Sequence, residues 1–423
     1  MPFRFVHAAD IHLDSPLRSL ALRDPQLGEL IGNASRRALE AIVKLCLDEQ
    51  VDALLIAGDL YDGEQTSMKT ARFLAAQIGR LVQAGIGVFI IRGNHDAASK
   101  ITAELSFPPS VKIFSGRAEA LQLDREAGAL PVVIHGISFA KPHAPESLLP
   151  KYKPPVEGAA NIGMMHTSLA GVAGHDPYAP CPARDLDAFG YQYWALGHIH
   201  QRSVTLGKST VVMPGNPQGR DINEAGAKSV TLVTIADDRT VHLEERITSI
   251  AQFERVPVCL DQIAEWPDMV SASVAAVERV RAAALSEHLV VRLAIGGTTP
   301  LAWQLRRDLD LVKQAVEQAL PVERSWIEKI EISCTAPGVA VDSGADPLLD
   351  LRALMQGDIG KSAGFTAAAT DIANELRAQL PPELRGILGN DEASFQTSLA
   401  ALIDQGAEDV LARLHAPSRE GAV

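Results

Sequence analysis

Short apolar runs alternate with segments of helical periodicity in the first hundred residues. The runs FRFVHAAD, DALLIAGD and GVFIIRG are short and end in polar or turn-forming residues, which predicts strands. Apolar positions recur at helical spacing near residues 34–49 and 67–83, which predicts a helix after each of the first two strands. Strands that alternate with helices indicate a parallel sheet with crossover helices.

From about Val111 the pattern becomes mostly strand-like. The runs are VKIF, PVVIHGISFA, NIGMMHT, YWALGHIH, STVVMPG, SVTLVTI and VHLEERI. Together with the earlier strands they predict an α/β fold in which a two-sheet sandwich is flanked by helices, over residues 1–248. The Pro-rich segment at 141–155 is predicted to be a surface loop, because strands resume after it.

The pattern changes again near Ser249. The strand-like runs EHLVVRLAI and WIEKIEISC flank a helical stretch at 300–320, and another helix precedes them at 271–285. This predicts a small α/β domain at 249–338. The remaining region, 339–423, begins with a linker and continues with three helical segments whose apolar faces have little core of their own. These helices are predicted to dock on the protein or on a partner.

Composition and charge narrow the class of protein. The 423 residues are 47% hydrophobic and 22% charged, which is typical of a soluble globular protein with two or three domains. Asp10 and Asp14 come too early for a signal peptide, so a cytoplasmic location without membrane contact is predicted. The four cysteines form no CxxC pair. The net charge of −13 disfavours a broad basic surface, so nucleic-acid binding would need metal ions or a partner.

Residues that bind metals follow the apolar runs in five clusters. They are Asp10 and His12, then Asp59, then Asn94, His95 and Asp96, then His166, and finally His198 and His200. Each cluster alone is ordinary, because such residues are common turn and cap formers. Their ordered recurrence at strand ends, where α/β sheets build their sites, favours one shared site.

The residue types indicate the chemistry of that site. Carboxylates, imidazoles and an amide oxygen form a ligand set suited to Mn, Zn, Fe or Ni. So many ligands exceed the needs of one ion and predict two ions about 3.5–4 Å apart, with a bridging carboxylate and an activated water. In an extended segment residues i and i+2 face the same way, which allows His198 and His200 to serve neighbouring ions.

The ordered set D-x-H, GD, GNHD, H and G-H-x-H resembles the signature of the calcineurin-like metallophosphoesterases. The flanking stretches HAADIHLDSPL and VVMPGNPQGRDINEAGAKSVTLV further resemble bacterial DNA-repair exonucleases of the SbcD and YhaO type. The resemblance implies a metallophosphoesterase sandwich with residues 249–338 as a capping domain. One position departs from this pattern, because Asp62 stands where SbcD-type nucleases commonly carry a histidine.

The resemblance also implies roles for individual residues. One ion would be held by Asp10, His12, Asp59 and His200, and the other by Asp59, Asn94, His166 and His198, so that Asp59 bridges them. His95 would be catalytic and face the substrate phosphate, while Asp96 would orient its ring. In the loop at 214–226, Asn216 and Arg220 are candidate phosphate contacts, unless this loop is simply a solvated hairpin.

These residues lead to a functional hypothesis. We expect a metal-dependent DNA exonuclease or phosphodiesterase of the DNA-repair type, in which a metal-bridging hydroxide attacks the phosphate. The expected ion is Mn²⁺, with Zn, Fe, Ni or Mg as alternatives. The implied partners are DNA and a coiled-coil ATPase of the SbcC or YhaN type, and a homodimer is plausible by analogy. Two alternatives stay open: an enzyme for nucleotides or other small phosphoesters, and a scaffold for DNA ends or an ATPase with weak activity.

Overall fold

The computed structural model describes most of the chain. The described residues are 1–15, 25–61, 67–98, 108, 110–141, 144–169, 178–320, 324–337, 347–380, 388–389 and 391–414. The chain divides into two compact units. One comprises Met1–Glu254, Arg281–Val291 and Arg324–Glu328, and the other comprises Arg255–Val280, Arg292–Glu323 and Lys329–Val423. The predicted domain boundaries near 248 and 338 stay predictions.

The elements that precede residue 250 confirm the predicted succession of strands and helices. In chain order they are β1 (Phe3–Ala8), α1 (Pro25–Asp48), β2 (Ala53–Ala57), α2 (Met68–Gln83), β3 (Gly87–Ile91), α3 (Asn94–Ala98), β4 (Val111–Ile113), β5 (Glu119–Gln122), β6 (Val132–Gly136), a 3-10 turn (Leu149–Lys151), β7 (Ala160–His166), α4 (Ala183–Ala188), β8 (Tyr193–Gly197), β9 (Ser203–Leu206), β10 (Thr210–Met213), a 3-10 turn (Ile222–Glu224), β11 (Ser229–Ile235) and β12 (Val241–Ile247). Two of these strands, β5 and β9, and the short helices α3 and α4 were not predicted. Strands β5 and β9 are four-residue edge strands with exposed positions, so burial imposes no apolar pattern on them.

Two mixed sheets form the predicted sandwich. The first has the order β12-β11-β1-β2-β3-β4, and its strands β1 to β4 pair in parallel. The second has the order β5-β6-β7-β8-β10-β9, with β6, β7, β8 and β10 parallel. Strand β2 lies beside β7 and β8 across the sandwich. The polar residues that follow these parallel strands therefore lie at the same edge.

Alternation along the strands builds two apolar layers. Phe5 and Leu55 of the first sheet pack with Ile162 and Tyr193 of the second, between the sheets. Val6 and its neighbours on the other face of the first sheet pack against α1 and α2. Strands buried on both faces read as continuous apolar runs, which is why the sequence pattern revealed them.

The rest of the chain supplies a third, smaller sheet and the helices of the C-terminal region. Its elements are β13 (Ala251–Cys259), α5 (Trp266–Ala283), β14 (His288–Gly296), α6 (Ala302–Arg307), α7 (Leu309–Ala319), β15 (Ser325–Ile332), α8 (Pro347–Leu354), a π turn (Met355–Ile359), α9 (Ala363–Gln379) and α10 (Glu392–Leu414). The sheet order is β13-β14-β15. Among the described helices none is long and apolar enough to cross a membrane.

Two details of this region differ from the sequence prediction. Strand β13 was missed, because it is an edge strand that contains Pro257 and so lacks a clear strand pattern. The predicted helix at 300–320 is two helices, since Asp308 leaves the helical conformation at φ −108° and ψ 39°. The three C-terminal helices are present as predicted. Most of the predicted linker that precedes them lies outside the described residues.

The apolar layer between the two sheets should contribute most of the stability of the sandwich. Leu55→Ala removes a fully buried side chain from between the sheets and should lower the free energy of unfolding by about 2–5 kcal/mol. Urea unfolding of the full chain measures this change. Leu206→Ala is the matched control, because this strand leucine is 73% exposed and its loss should change the free energy by less than about 0.5 kcal/mol. Equal losses in both variants would contradict the assignment of the core.

Candidate metal centre

The loops that follow β1 and β2 run side by side and carry three of the predicted ligands. The amide of Asp10 donates to the carbonyl of Gly58, and the amide of His12 donates to the carbonyl of Asp59, both at 3.0 Å. Asp10, His12 and Asp59 have φ values of 51°, 44° and 50°, in the left-handed region that non-glycine residues avoid. Strain of this kind is typical of functional sites.

One cluster contains Asp10, His12 and His200. Their ligand atoms all lie within 4.8 Å of one another. The Nε2 atoms of His12 and His200 are 3.1 Å apart, so two ring nitrogens converge on one point. Both carboxylate oxygens of Asp10 accept from the backbone amide of His198, at 3.0 and 2.9 Å, which ties the end of β8 to the end of β1.

A second cluster contains Asp59, His166 and His198, whose ligand atoms also lie within 4.8 Å of one another. Asn94 joins it, because its Oδ1 is 3.0 Å from Nε2 of His166. Oδ2 of Asp59 lies 3.3 Å from Nε2 of His166 and 4.0 Å from Nε2 of His12. The Asp59 carboxylate therefore lies between the two clusters.

The hydrogen bonds of His166 show that this donor set fits a cation. Its Nδ1 is 3.0 Å from the carbonyl of Ala57, which can only accept, so Nδ1 carries the proton. In the neutral ring, Nε2 then directs a lone pair at the oxygens of Asn94 and Asp59, an arrangement that needs a positive charge. Burial lowers the pKa of His166, but the carboxylates of Asp59 and Asp10 outweigh it and raise this pKa to about 9, so either a proton on Nε2 or a metal ion can supply the positive charge.

The two carboxylates respond differently to the same surroundings. Burial raises the pKa of Asp10, although His166, His200 and His12 oppose this. Burial also opposes ionisation of Asp59, but the interactions with His166, His12 and His95 prevail and hold the pKa of this carboxyl below its usual range. Asp59 is therefore the more strongly ionised of the two buried carboxyl groups.

The turn after β8 separates the two histidines of the GHIH motif. Strand β8 ends at Gly197, and His198 has a φ of 108°. The segment is therefore not extended as predicted, because the turn brings the amide of His198 onto Asp10. His198 lies in the cluster of Asp59 and His200 in the cluster of Asp10, which is the grouping that the family resemblance implies.

His95 lies beside both clusters. Its backbone amide donates to Oδ1 of Asp59 at 3.0 Å. Its side chain is exposed, and its ring centroid is 5.0 Å from that of His12 in an edge-to-face arrangement. The structure thus places an accessible imidazole next to the candidate ligands, and its catalytic role stays a prediction.

Asp96 is buried and connects two loops. Its carboxylate accepts from the backbone amides of Leu60 and Tyr61 after β2 and from that of Gly93 after β3, at 3.0 to 3.1 Å. Burial and the nearby carboxylate of Asp59 raise the pKa of Asp96 to about 6, against the effect of these backbone hydrogen bonds. The carboxylate thus holds together the loops that carry the ligands. Its predicted action on the ring of His95 stays a prediction.

The residues predicted to contact phosphate surround a glutamate that the sequence pattern did not single out. Nδ1 of His200 is 2.6 Å from Oε1 of Glu224. The side chains of Arg220 and Asn216 both donate to the same carboxylate, at 2.8 Å each. Burial opposes ionisation of Glu224, but the hydrogen bonds from His200 and Arg220 lower its pKa. The only signal in the sequence was an acidic residue four positions after Arg220 within the resembling stretch.

Other sequence features lie away from this centre or outside the described residues. His7 is buried, and its Nδ1 is 2.8 Å from the hydroxyl of Tyr193. His135 is buried and pairs with Asn161 at 2.9 Å. Asp62, the position that departs from the family pattern, lies outside the described residues.

The sandwich and its two adjoining ligand clusters define an α/β protein with a candidate two-metal centre. Residues 3–202 match the family model of the calcineurin-like phosphoesterases, and residues 253–335 match the middle domain of the metallophosphoesterase YhaO. Residues 3–202 therefore form a calcineurin-like metallophosphoesterase domain, a type of domain found in metal-dependent phosphoesterases.

Relatives in three organisms are similar over large parts of the chain. The chain is 29% identical over 347 residues to the uncharacterized metallophosphoesterase YhaO of Bacillus subtilis, covering 81% of this chain and 84% of that protein. It is 24% identical over 348 residues to one of the subunits of the nuclease SbcCD of Escherichia coli, covering 73% and 84%. It is also 24% identical over 266 residues to the DNA double-strand break repair protein Mre11 of Methanopyrus kandleri, covering 60% and 54%. Nuclease-related proteins are thus among its relatives.

Close packing around Asp59 requires glycine at position 93. A Cβ atom there would clash with Oδ1 of Asp59 and lie 2.8 Å from Cε1 of His166. Gly93→Ala should therefore lower the free energy of unfolding by about 1–3 kcal/mol. Gly79→Ala in α2 is the control, because nothing lies within 4 Å of its added Cβ, and it should raise the free energy by about 0.5–1 kcal/mol. Chemical denaturation of both variants measures these changes. Equal stability of Gly93→Ala and Gly79→Ala would contradict the close packing at position 93.

Proposed function

We propose that this chain is a cytoplasmic, Mn²⁺-dependent phosphodiesterase of the DNA-repair exonuclease type. The observation that carries the proposal is the position of Asp59 between two N/O ligand clusters, within 3.3 Å of His166 and 4.0 Å of His12. A carboxylate shared by two clusters is the arrangement that two neighbouring divalent ions require. The imidazole and carboxylate ligands suit Mn²⁺, and also Zn, Fe, Ni or Mg.

The proposed ligand sets follow the geometry of the two clusters. Asp10, His12, Asp59 and His200 would hold one ion, and Asp59, Asn94, His166 and His198 would hold the other. When bound, two such ions activate a water molecule and offset the charge of a phosphodiester. The backbone contacts of Asp10 and Asp59 keep their carboxylates in place for this task.

His95 is the proposed proton donor. Its side chain is exposed beside His12, so a phosphodiester at the clusters can reach the imidazole. A protonated ring would neutralise charge on the phosphate or give its proton to the departing oxygen of the substrate. Asp96 would act through the loop that it shares with His95, since it anchors the amide of Gly93.

DNA is the proposed substrate, and support comes from the relatives. The E. coli relative is by name a nuclease subunit, and the Methanopyrus relative a DNA double-strand break repair protein. The net charge of −13 favours a second candidate, hydrolysis of nucleotides or other small phosphoesters, because a long polyanion would be repelled. A DNA-binding partner would remove this objection.

The C-terminal region is the proposed partner site. Ile372 and Leu376 on α9 and Leu402 on α10 are exposed by 61%, 58% and 49%. We propose that these helices dock a coiled-coil ATPase of the SbcC or YhaN type, since the E. coli relative is one subunit of a larger nuclease. Residues 249–338 would form a capping domain, which the match of 253–335 to the YhaO middle domain supports. A homodimer remains a proposal by analogy.

A comparison of substrates tests the proposed activity. With Mn²⁺ the purified chain should cleave duplex DNA, and this cleavage should stop when a chelator removes the metal. Single-stranded DNA and bis-p-nitrophenyl phosphate are assayed in parallel. Asp59→Ala serves as the inactive control, because it removes the carboxylate shared by both clusters. Cleavage of the small ester alone, with the ATPase partner present, would refute DNA as the substrate.

The role of His95 predicts a variant that binds metal but turns over slowly. His95→Ala should lower kcat by about 100- to 10,000-fold, because the proton donor is lost while every proposed ligand remains. Metal analysis and steady-state kinetics of the same preparation measure both properties. His242→Ala, on an exposed position of β12, is the matched control and should keep full activity. Full turnover by His95→Ala would remove this residue from the mechanism.

A further inference from the structure

The loop from Pro214 to Gly226 places a partly buried carboxylate, that of Glu224, against one of the candidate ligands. The 3-10 turn Ile222–Glu224 begins after Asp221, whose side chain accepts from the amide of Asn223 at 2.7 Å. This turn ends at Glu224, and Oε1 of Glu224 lies 2.6 Å from Nδ1 of His200. The short distance is typical of a hydrogen bond to a charged group.

This contact determines which nitrogen of His200 faces the centre. Nδ1 has two neighbours, Oε1 of Glu224 at 2.6 Å and Nη2 of Arg220 at 3.1 Å. The carboxylate is the closer one and can only accept, so Nδ1 of His200 donates a hydrogen bond to Glu224. Nε2 of His200 then keeps its lone pair. This atom lies 3.1 Å from Nε2 of His12, so the two nitrogens face the same point. A carboxylate behind an imidazole both fixes the ring and makes it a stronger ligand.

The carboxylate is itself held from several sides. The backbone amide of Arg220 and the amide of Asn216 each donate to Oε2 at 2.8 Å. The guanidinium of Arg220 reaches Oε1 through Nη2 at 2.8 Å and through Nε at 3.1 Å. Asn216 is almost fully buried, and its amide also donates to the carbonyl of Gln218 at 2.8 Å, which fixes this side chain within the loop. Arg220 and Asn216 thus point at Glu224, although the sequence suggested phosphate as their target.

In the other cluster, a backbone carbonyl and not a side chain orients the ring of His166. Nδ1 of His166 donates instead to the backbone carbonyl of Ala57 at 3.0 Å. A neutral carbonyl at the end of β2 orients this ring, whereas a charged side chain orients His200. A change of Glu224 should therefore affect the two clusters unequally.

We propose that Glu224 is a positioning residue that sets the affinity of the Asp10, His12 and His200 cluster for its ion, and that Arg220 and Asn216 serve it. This inference rests on the proposed two-metal function. Glu224→Gln keeps the size of the side chain but removes its charge. This substitution should lower the affinity for one of the two ions by about 10- to 100-fold and leave the affinity for the other unchanged.

The test is a titration of the metal-free full chain with Mn²⁺, in which free Mn²⁺ is measured by its electron paramagnetic resonance signal. The wild-type chain should bind two ions, and Glu224→Gln should bind one tightly and one weakly. Excess Mn²⁺ should restore much of the turnover of this variant. Glu49→Gln is the matched control, because Glu49 also pairs with an arginine, Arg4 at 2.8 Å, but takes no part in either cluster. It should bind both ions as the wild type does.

The outcomes separate this inference from the proposed function. Two ions bound equally well by Glu224→Gln and by the wild type would overturn the role of Glu224 alone. A wild-type chain that fails to bind two ions would overturn the proposed function and this inference with it.

Arg220→Ala distinguishes the two roles suggested for Arg220. If Arg220 supports Glu224, Arg220→Ala should lower the affinity for the same ion as Glu224→Gln does. It should leave KM unchanged at saturating Mn²⁺. A raised KM with both metal affinities unchanged would instead make Arg220 a substrate contact and contradict its supporting role.

Discussion

The carboxylate of Asp59 is the group on which the candidate centre depends. It lies two residues after the end of β2, accepts from the amide of His95 after β3, and is 3.3 Å from His166 at the end of β7. Three strands from two sheets therefore meet at a single side chain. The imidazoles around it keep it ionised despite its burial, since they lower its pKa. A buried carboxylate in this position needs positive charge nearby, and the imidazoles that can supply it come from both clusters. The two clusters therefore adjoin at Asp59.

This convergence has a structural cost. Asp10, His12 and Asp59 have left-handed backbone conformations, and the chain at Gly93 leaves no room for a side chain. Backbone hydrogen bonds between the loops and the carboxylate of Asp96 offset this cost. The apolar layer between the sheets supplies the rest of the stability and keeps the strand ends in register. Strain is thus confined to the edge of the sandwich where the polar residues meet.

The two halves of the centre are supported differently. His166 is oriented by a backbone carbonyl, which belongs to the sheet and persists whatever side chain is present. His200 is oriented by Glu224, which depends on a loop and on the guanidinium of Arg220. The first arrangement is part of the fold, whereas the second can be altered by one substitution. The two candidate ligand clusters are therefore held in place by different means.

The sequence by itself determined the parts of this protein that obey local rules. Buried parallel strands must be apolar, so the sandwich could be predicted. Polar residues at the ends of such strands meet at one edge, so the sequence could also predict that Asp10, Asp59, His166 and His200 lie close together. Edge strands such as β9 and β13 escaped prediction because exposure or a proline removes their pattern. Only the tertiary structure decided the turn at His198 and the contact of Glu224 with His200. Both depend on atoms that are distant in sequence and meet only after the sheets have packed, so no local pattern encodes them.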